Sequence, residues 1–226
     1  MNFIHHINST VFLDKDMNNI KHFTYFLILS ILFTGCGKSP ELVFSKAEEN
    51  FNEGAYGQAI RGFKKIIAKY DDWDRINEAQ EYINNFSGKI YSHAETLRNE
   101  KKFNKSIDAL NYIVNNFKDL SIAPKSQYMI GDIYMNDLKE FKEAITHYND
   151  VVKSFPGTKE EPHAQFMMGY IFANSPGVKD STKAIKEYHL FLEKYPNHEL
   201  APSVQFEIEW LGKDINDIPA LKHISS

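Results

Sequence analysis

Residues 141–155 read FKEAITHYNDVVKSF, and this stretch decides the fold. Its apolar residues Phe141, Ala144, Ile145, Tyr148, Val151, Val152 and Phe155 stand at offsets 0, 3, 4, 7, 10, 11 and 14, one continuous stripe along an α-helix. The same offsets select Tyr56, Ala59, Ile60, Phe63, Ile66, Ile67 and Tyr70. They also select Phe103, Ser106, Ile107, Leu110, Ile113, Val114 and Phe117, then Ser181, Ala184, Ile185, Tyr188, Phe191, Leu192 and Tyr195. Of these 28 slots only Ser106 and Ser181 are polar, whereas a chain of 42% hydrophobic residues would fill about 12 by chance. The stripe is a repeat.

A second ladder supplies each striped helix with a partner. Gln80, Gln127, Gln165 and Gln205 each lie ten residues after the terminal aromatics Tyr70, Phe117, Phe155 and Tyr195. Pro124, Pro162 and Pro202 precede the last three glutamines by three positions, where a helix's first turn tolerates proline's missing N–H. The unit is helix A, turn, helix B, turn, with periods of 47, 38 and 40 residues. Such hairpins cannot bury their stripes alone, so the pattern predicts an all-α, right-handed superhelical α-solenoid of about four hairpins. The units fall at about 41–72, 75–118, 123–157 and 161–197, and a capping helix over 199–211 closes a solenoid spanning 41–211. Phe206 and Trp210 are placed to pack on the fourth unit. The second unit is longer by about nine residues, which predicts a helix A from Arg75 to Asn99 kinked at Ser87-Gly88. Asn52, Asn99, Asn136 and Asn174 recur at the ends of the A helices, where asparagine tolerates the left-handed conformation. Residues 212–226 are polar and read as a flexible tail.

These residues resemble the tetratricopeptide repeat family. Its small residue, tyrosine, small residue, aromatic and proline fall on Gly131, Tyr134, Ala144, Tyr148 and Pro156, and again on Gly169, Phe172, Ala184, Tyr188 and Pro196. Ala47, Ala59 and Phe63, and Ala94 and Leu110, fit two divergent copies in which Asp71 and Lys118 stand where proline is usual. The small residues mark where helices must approach closely.

Residues 1–35 read as an N-terminal extension and a lipoprotein signal. Translation is expected to start at Met17, followed by Lys21 and His22, the apolar run FTYFLILSILF (23–33), and Thr34-Gly35-Cys36. Eleven residues rise only about 17 Å as a helix, short of the ~30 Å hydrocarbon core, so the run does not span a membrane. The ending resembles the bacterial lipobox. That likeness implies a covalent lipid on Cys36, residues 36–40 as a tether and, with Gly37 next in line, sorting to the outer membrane, facing the periplasm.

One cysteine forms no intramolecular disulfide framework, so the core alone must hold the domain. A net charge of −4 without a basic stripe argues against nucleic acid. Nine histidines include no HExxH pair and have no cysteine company, which predicts no metal, and His147, His163 and His189 read as solvated helix residues. Paired carboxylates such as Glu160-Glu161 read as solvated groups matching helix N-termini. No phosphate loop or nucleophile elbow is present, so the chain reads as non-enzymatic and without a cofactor apart from the lipid.

A helical solenoid offers a concave surface lined by its A helices. The positions lining it in the family fall here on Lys125, Tyr128, Asp132 and Met135, then on His163, Phe166, Tyr170 and Ala173, and the resemblance implies that they bind a partner segment. The competing reading of Tyr128 and Phe166 is packing between A helices. An export signal joined to a solenoid resembles the BamD-type lipoprotein family of the outer-membrane β-barrel assembly machinery, which implies a scaffold contacting other envelope proteins. Two further readings stay open: a periplasmic adaptor resembling the Tol-Pal cell-division coordinator, and an accessory protein binding a ligand or peptidoglycan.

Overall fold

The computed structural model describes residues 39–213. The expected signal over 1–35, the Met17 start, Cys36 and its tether to residue 38, and the tail from 214 lie outside the described residues. Among the described residues ten α-helices follow one another: α1 (Pro40–Asn52), α2 (Tyr56–Lys69), α3 (Ile76–Asn84), α4 (Phe86–Asn99), α5 (Phe103–Asn116), α6 (Ile122–Asp132), α7 (Phe141–Ser154), α8 (Glu160–Asn174), α9 (Ser181–Lys194) and α10 (Ala201–Trp210). No strand occurs among the described residues. From α2 onward, each helix packs chiefly on its neighbours in sequence, with α4, α6 and α8 also touching in series, as an α-solenoid requires.

The striped helices are α2, α5, α7 and α9, and their apolar slots are the core. Ala59, Phe63, Ile66, Leu110, Ile113, Ala144, Tyr148, Val151, Ala184, Tyr188 and Phe191 are fully buried. Tyr70, Phe117, Phe155 and Tyr195 end them alike: φ between −138 and −130 breaks the helix, and each backbone N–H still donates to the carbonyl four residues back. The two polar slots have separate reasons. Ser106 is buried, and its hydroxyl donates to the Ala94 carbonyl of α4 at 2.7 Å, so a polar atom in the seam stays paired. Ser181 begins α9, is exposed, and follows Asp180, whose carboxylate accepts the Lys183 N–H at 3.0 Å.

The glycines of the third and fourth units are required by close approach. A Cβ on Gly131 would lie 2.7 Å from the Tyr148 ring, and one on Gly169 would lie 2.5 Å from the Tyr188 ring. Each tyrosine of helix B therefore rests on bare backbone of helix A. The corresponding positions of the first two units, Ala47 with Phe63 and Ala94 with Leu110, are also buried, and there the smaller partner side chains coincide with alanine. The glutamine ladder is explained in the same two units. Gln127 Nε2 donates to the His147 carbonyl (3.3 Å) and Gln165 Nε2 to the Glu187 carbonyl (3.2 Å), stapling each A helix to its B helix. Gln80 instead bonds Asn84 on its own helix.

Four expectations need correction. The extra residues of the second unit form a separate helix, α3, with the break at Asn85 (φ −129, ψ 38) and not at Ser87-Gly88. The break lets Tyr82 stack on Phe63 at 4.1 Å while Phe86, one turn on, packs on Phe51; Gly88 leaves space for the Asn85 side chain, 2.2 Å from where its Cβ would be. The left-handed residues of the A–B turns are Gly54, Lys101, Lys139 and Gly177, with φ of +84, +61, +59 and +77, and none of the recurring asparagines. Asn174 instead bonds its own helix at the Tyr170 carbonyl. Third, α6 does not end as an α-helix but widens into a π-helical segment, Ile133–Leu138, which lays Tyr134 on His147 with centroids 5.1 Å apart. Last, the cap packs through Ala201, Val204, Ile208 and Leu211, whereas Phe206 is 44% exposed and pairs with Trp210 at 6.2 Å.

Two substitutions probe this packing. Gly169→Ala is expected to destabilise by about 1–3 kcal/mol in chemical denaturation, because Tyr188 is walled in and cannot retreat. Lys139→Gly is expected to stabilise by up to about 1 kcal/mol by relieving a left-handed lysine; a thermal midpoint below the parent's would contradict the strain argument.

Candidate functional site

The A helices α4, α6 and α8 bring together a cleft of about 370 Å³ lined by Tyr91, Lys125, Tyr128, Met129, Asp132, Lys159, Glu160 and His163. Helical spacing places these residues on one face. On α6, Lys125, Tyr128, Met129 and Asp132 are three, four and seven residues apart, and the first turn of α8 adds Glu160 and His163. Lys125 Nζ stands 4.3 Å above the Tyr91 ring, so an exposed cation leans on an aromatic face that is itself 5% exposed.

Asp132 is set by the packing beneath it. The ring of Tyr148 crosses at Gly131, and its hydroxyl donates to Asp132 Oδ1 at 2.6 Å. Burial pushes the Asp132 carboxyl above its ordinary range, and the Tyr148 hydroxyl and the Arg98 guanidinium pull part of the way back. Arg98 itself pairs with Asp137 at 2.7 Å, tying α4 to the π-helical segment. In the fourth unit the Tyr188 hydroxyl faces forward, 3.5 Å from Glu207 on α10.

Glu161, beside the cleft, is 1% exposed. It accepts the Gly157 N–H at 2.6 Å and an ammonium hydrogen bond from Lys194 at the end of α9. Burial pushes its carboxyl up, but the bonds from Lys194 and Gly157 outweigh that and hold it below its ordinary value. The pair is therefore an internal clamp between α8 and the last turn of α9, and not the solvated group that the sequence suggests.

Of the eight positions expected to line the concave face, the cleft assembles Lys125, Tyr128, Asp132 and His163. Tyr128 lines the cleft and also packs on Tyr148 of the B helix α7, with centroids 5.2 Å apart. Met135 is half-buried under Tyr148, its sulfur 3.8 Å from the hydroxyl. Phe166 packs into the fourth-unit core beside Tyr188, and Tyr170 lies against Phe166 outside this cleft. Ala173 is 1% exposed within that core, so it cannot line a surface. Tyr91, Met129, Lys159 and Glu160 went unforeseen. Tyr91 matches Tyr128 in a more divergent copy of the repeat, Lys159 sits in the turn entering α8, and Glu160 begins that helix. Of the histidines read as solvated, His147 stacks on Tyr134 and meets Gln127 Nε2 at 2.9 Å, while His189 is exposed.

A family model described as "Tetratricopeptide repeat" matches residues 125–158 and 163–198, the third and fourth units that build most of the cleft. No curated protein matches the chain. The matched repeats support a scaffold for protein–protein contact and carry no catalytic family. No helix among the described residues is long and apolar enough to cross a membrane.

The Glu161 clamp has a pH signature. A carboxyl held low in the folded state contributes stability above its unfolded value, near 4.5, and loses it as pH falls through the folded value. Asp132, raised on folding, works with the opposite sign. Glu161→Gln is expected to destabilise at neutral pH by about 1–3 kcal/mol and to flatten the loss of stability below pH 4.5. Urea titrations at several pH values read both; an unchanged acid slope would remove Glu161 as its source.

Proposed function

We propose that the chain is a non-enzymatic scaffold lipoprotein of the bacterial envelope. Its solenoid docks a segment of a partner protein in the cleft formed by α4, α6 and α8, and its mature N-terminus is lipidated on Cys36. The observation that carries the docking reading is the convergence of α4, α6 and α8 on one cleft with an apolar floor and a charged rim. Tyr91, Tyr128 and Met129 supply aromatic and thioether surface for an apolar side chain, and Lys125, Lys159, Asp132 and Glu160 supply polar contacts that set register. Support for the anchoring comes from the sequence: a short basic stretch, an eleven-residue apolar run and a cysteine in lipobox order. An outer-membrane address facing the periplasm, and a place in β-barrel assembly like that of the BamD-type family, rest on that resemblance.

Affinity capture of the lipidated full chain from envelope membranes tests the assignment. Recovery of barrel-assembly components supports it, and recovery of cell-division components in their place favours the coordinator-like adaptor. Cys36→Ala is expected to move the protein from the membrane to the soluble fraction. Lys125→Glu combined with Tyr128→Ala is expected to weaken capture of the partner by at least about tenfold with the helical circular dichroism unchanged; undiminished capture would place docking elsewhere on the solenoid.

A further inference from the structure

We propose that His163, His198 and Glu199 form a binding site for a divalent transition-metal cation of the zinc class. One ligand atom from each lies within 4.8 Å of the other two. Two imidazoles and a carboxylate are a donor set that zinc accepts, with a fourth position left for water or a partner's side chain. Sequence spacing hides the set, because His163 lies in the first turn of α8 while His198 and Glu199 lie in the turn between α9 and α10. The stacking of units brings them together.

The surroundings of the two rings favour a ligating role. His163 Nδ1 lies 2.9 Å from the Lys159 carbonyl, which only accepts, so Nδ1 carries the hydrogen and Nε2 presents its lone pair. A ring nitrogen tied to a backbone carbonyl is the arrangement that orients metal-binding histidines. His198 stands across from it at 5.3 Å between centroids and 85° between planes, held against Phe191 and Tyr195. The turn beneath it is fixed, since the His198 N–H donates to Tyr195 and the Ala201 N–H to His198. Binding displaces one weak bond, the Leu200 N–H to His198 Nδ1 at 3.2 Å: a metal on either ring nitrogen needs that lone pair or puts a proton on it.

The consequence is a clamp. α10 covers the end of the solenoid chiefly by packing on α9; a metal would add a direct tie between the turn leading into α10 and α8. It would also hold the His163 ring at the rim of the docking cleft, although the site stands whether or not that cleft binds a partner.

Zinc chloride titrated into the full chain by calorimetry, read with amide hydrogen exchange over Ala201–Trp210, tests this. One equivalent of zinc is expected to lose at least about tenfold in affinity in His163→Ala and in His198→Ala, and to slow exchange across the cap in the parent only. His198 packs on two aromatic rings, so Glu199→Gln, an exposed change, guards against a loss due to misfolding: it is expected to lower zinc affinity several-fold with unaltered circular dichroism. Absence of such an equivalent overturns the site. So does one that survives both histidine substitutions, or one that leaves cap exchange unchanged.

Discussion

A tyrosine ring laid across glycine backbone sets the geometry of the two best-formed repeats. Tyr148 at Gly131 and Tyr188 at Gly169 are as close as a helix pair can come, because even a methyl group would overlap the ring. That contact is local in effect but repeated in consequence. It fixes how far helix B tilts over helix A, and so where the next A helix begins. It also carries a polar atom through the seam: a phenylalanine would fill the same notch, but only tyrosine reaches Asp132 from beneath the cleft or Glu207 on the cap. Core packing and the candidate site thus share one side chain.

Around that contact several buried polar side chains join one helix to the next. Gln127 and Gln165 staple A to B, Ser106 staples B to A in the second unit, and Glu161 with Lys194 locks the entry to α8 against the end of α9. Each satisfies a backbone or charged group that burial would otherwise leave costly. The first unit relies instead on aromatic packing, with Phe44, Phe63 and Tyr82 in contact and Arg75 4.5 Å over the Phe44 ring. The third and fourth units are also the ones in which the tetratricopeptide pattern is recognised.

The candidate cleft was half legible. Lys125, Tyr128, Asp132 and His163 could be placed because they share a face of helices whose register the stripe sets. Ala173 was misplaced because at the end of α8 the same register turns into the core against α9. Tyr91 stands three residues before Ala94, as Tyr128 does before Gly131, but in a divergent copy of the pattern where the lining positions were not looked for. Glu160 and Glu161 looked like ordinary helix-start carboxylates, since nothing in a sequence tells whether a first turn is covered by the end of another helix.

By itself the sequence determined the hairpin repeat, its four striped helices, the small residues at their crossings and the cap, because helical periodicity is local and a stripe reports its own burial. The tertiary structure alone decided what crosses between helices: which tyrosine finds Asp132, that Glu161 is a buried clamp, that Phe206 faces solvent, and that His163 meets His198 and Glu199. Those outcomes depend on the rise and turn from one unit to the next, which no single stretch of chain encodes and which the summed packing of neighbouring units sets.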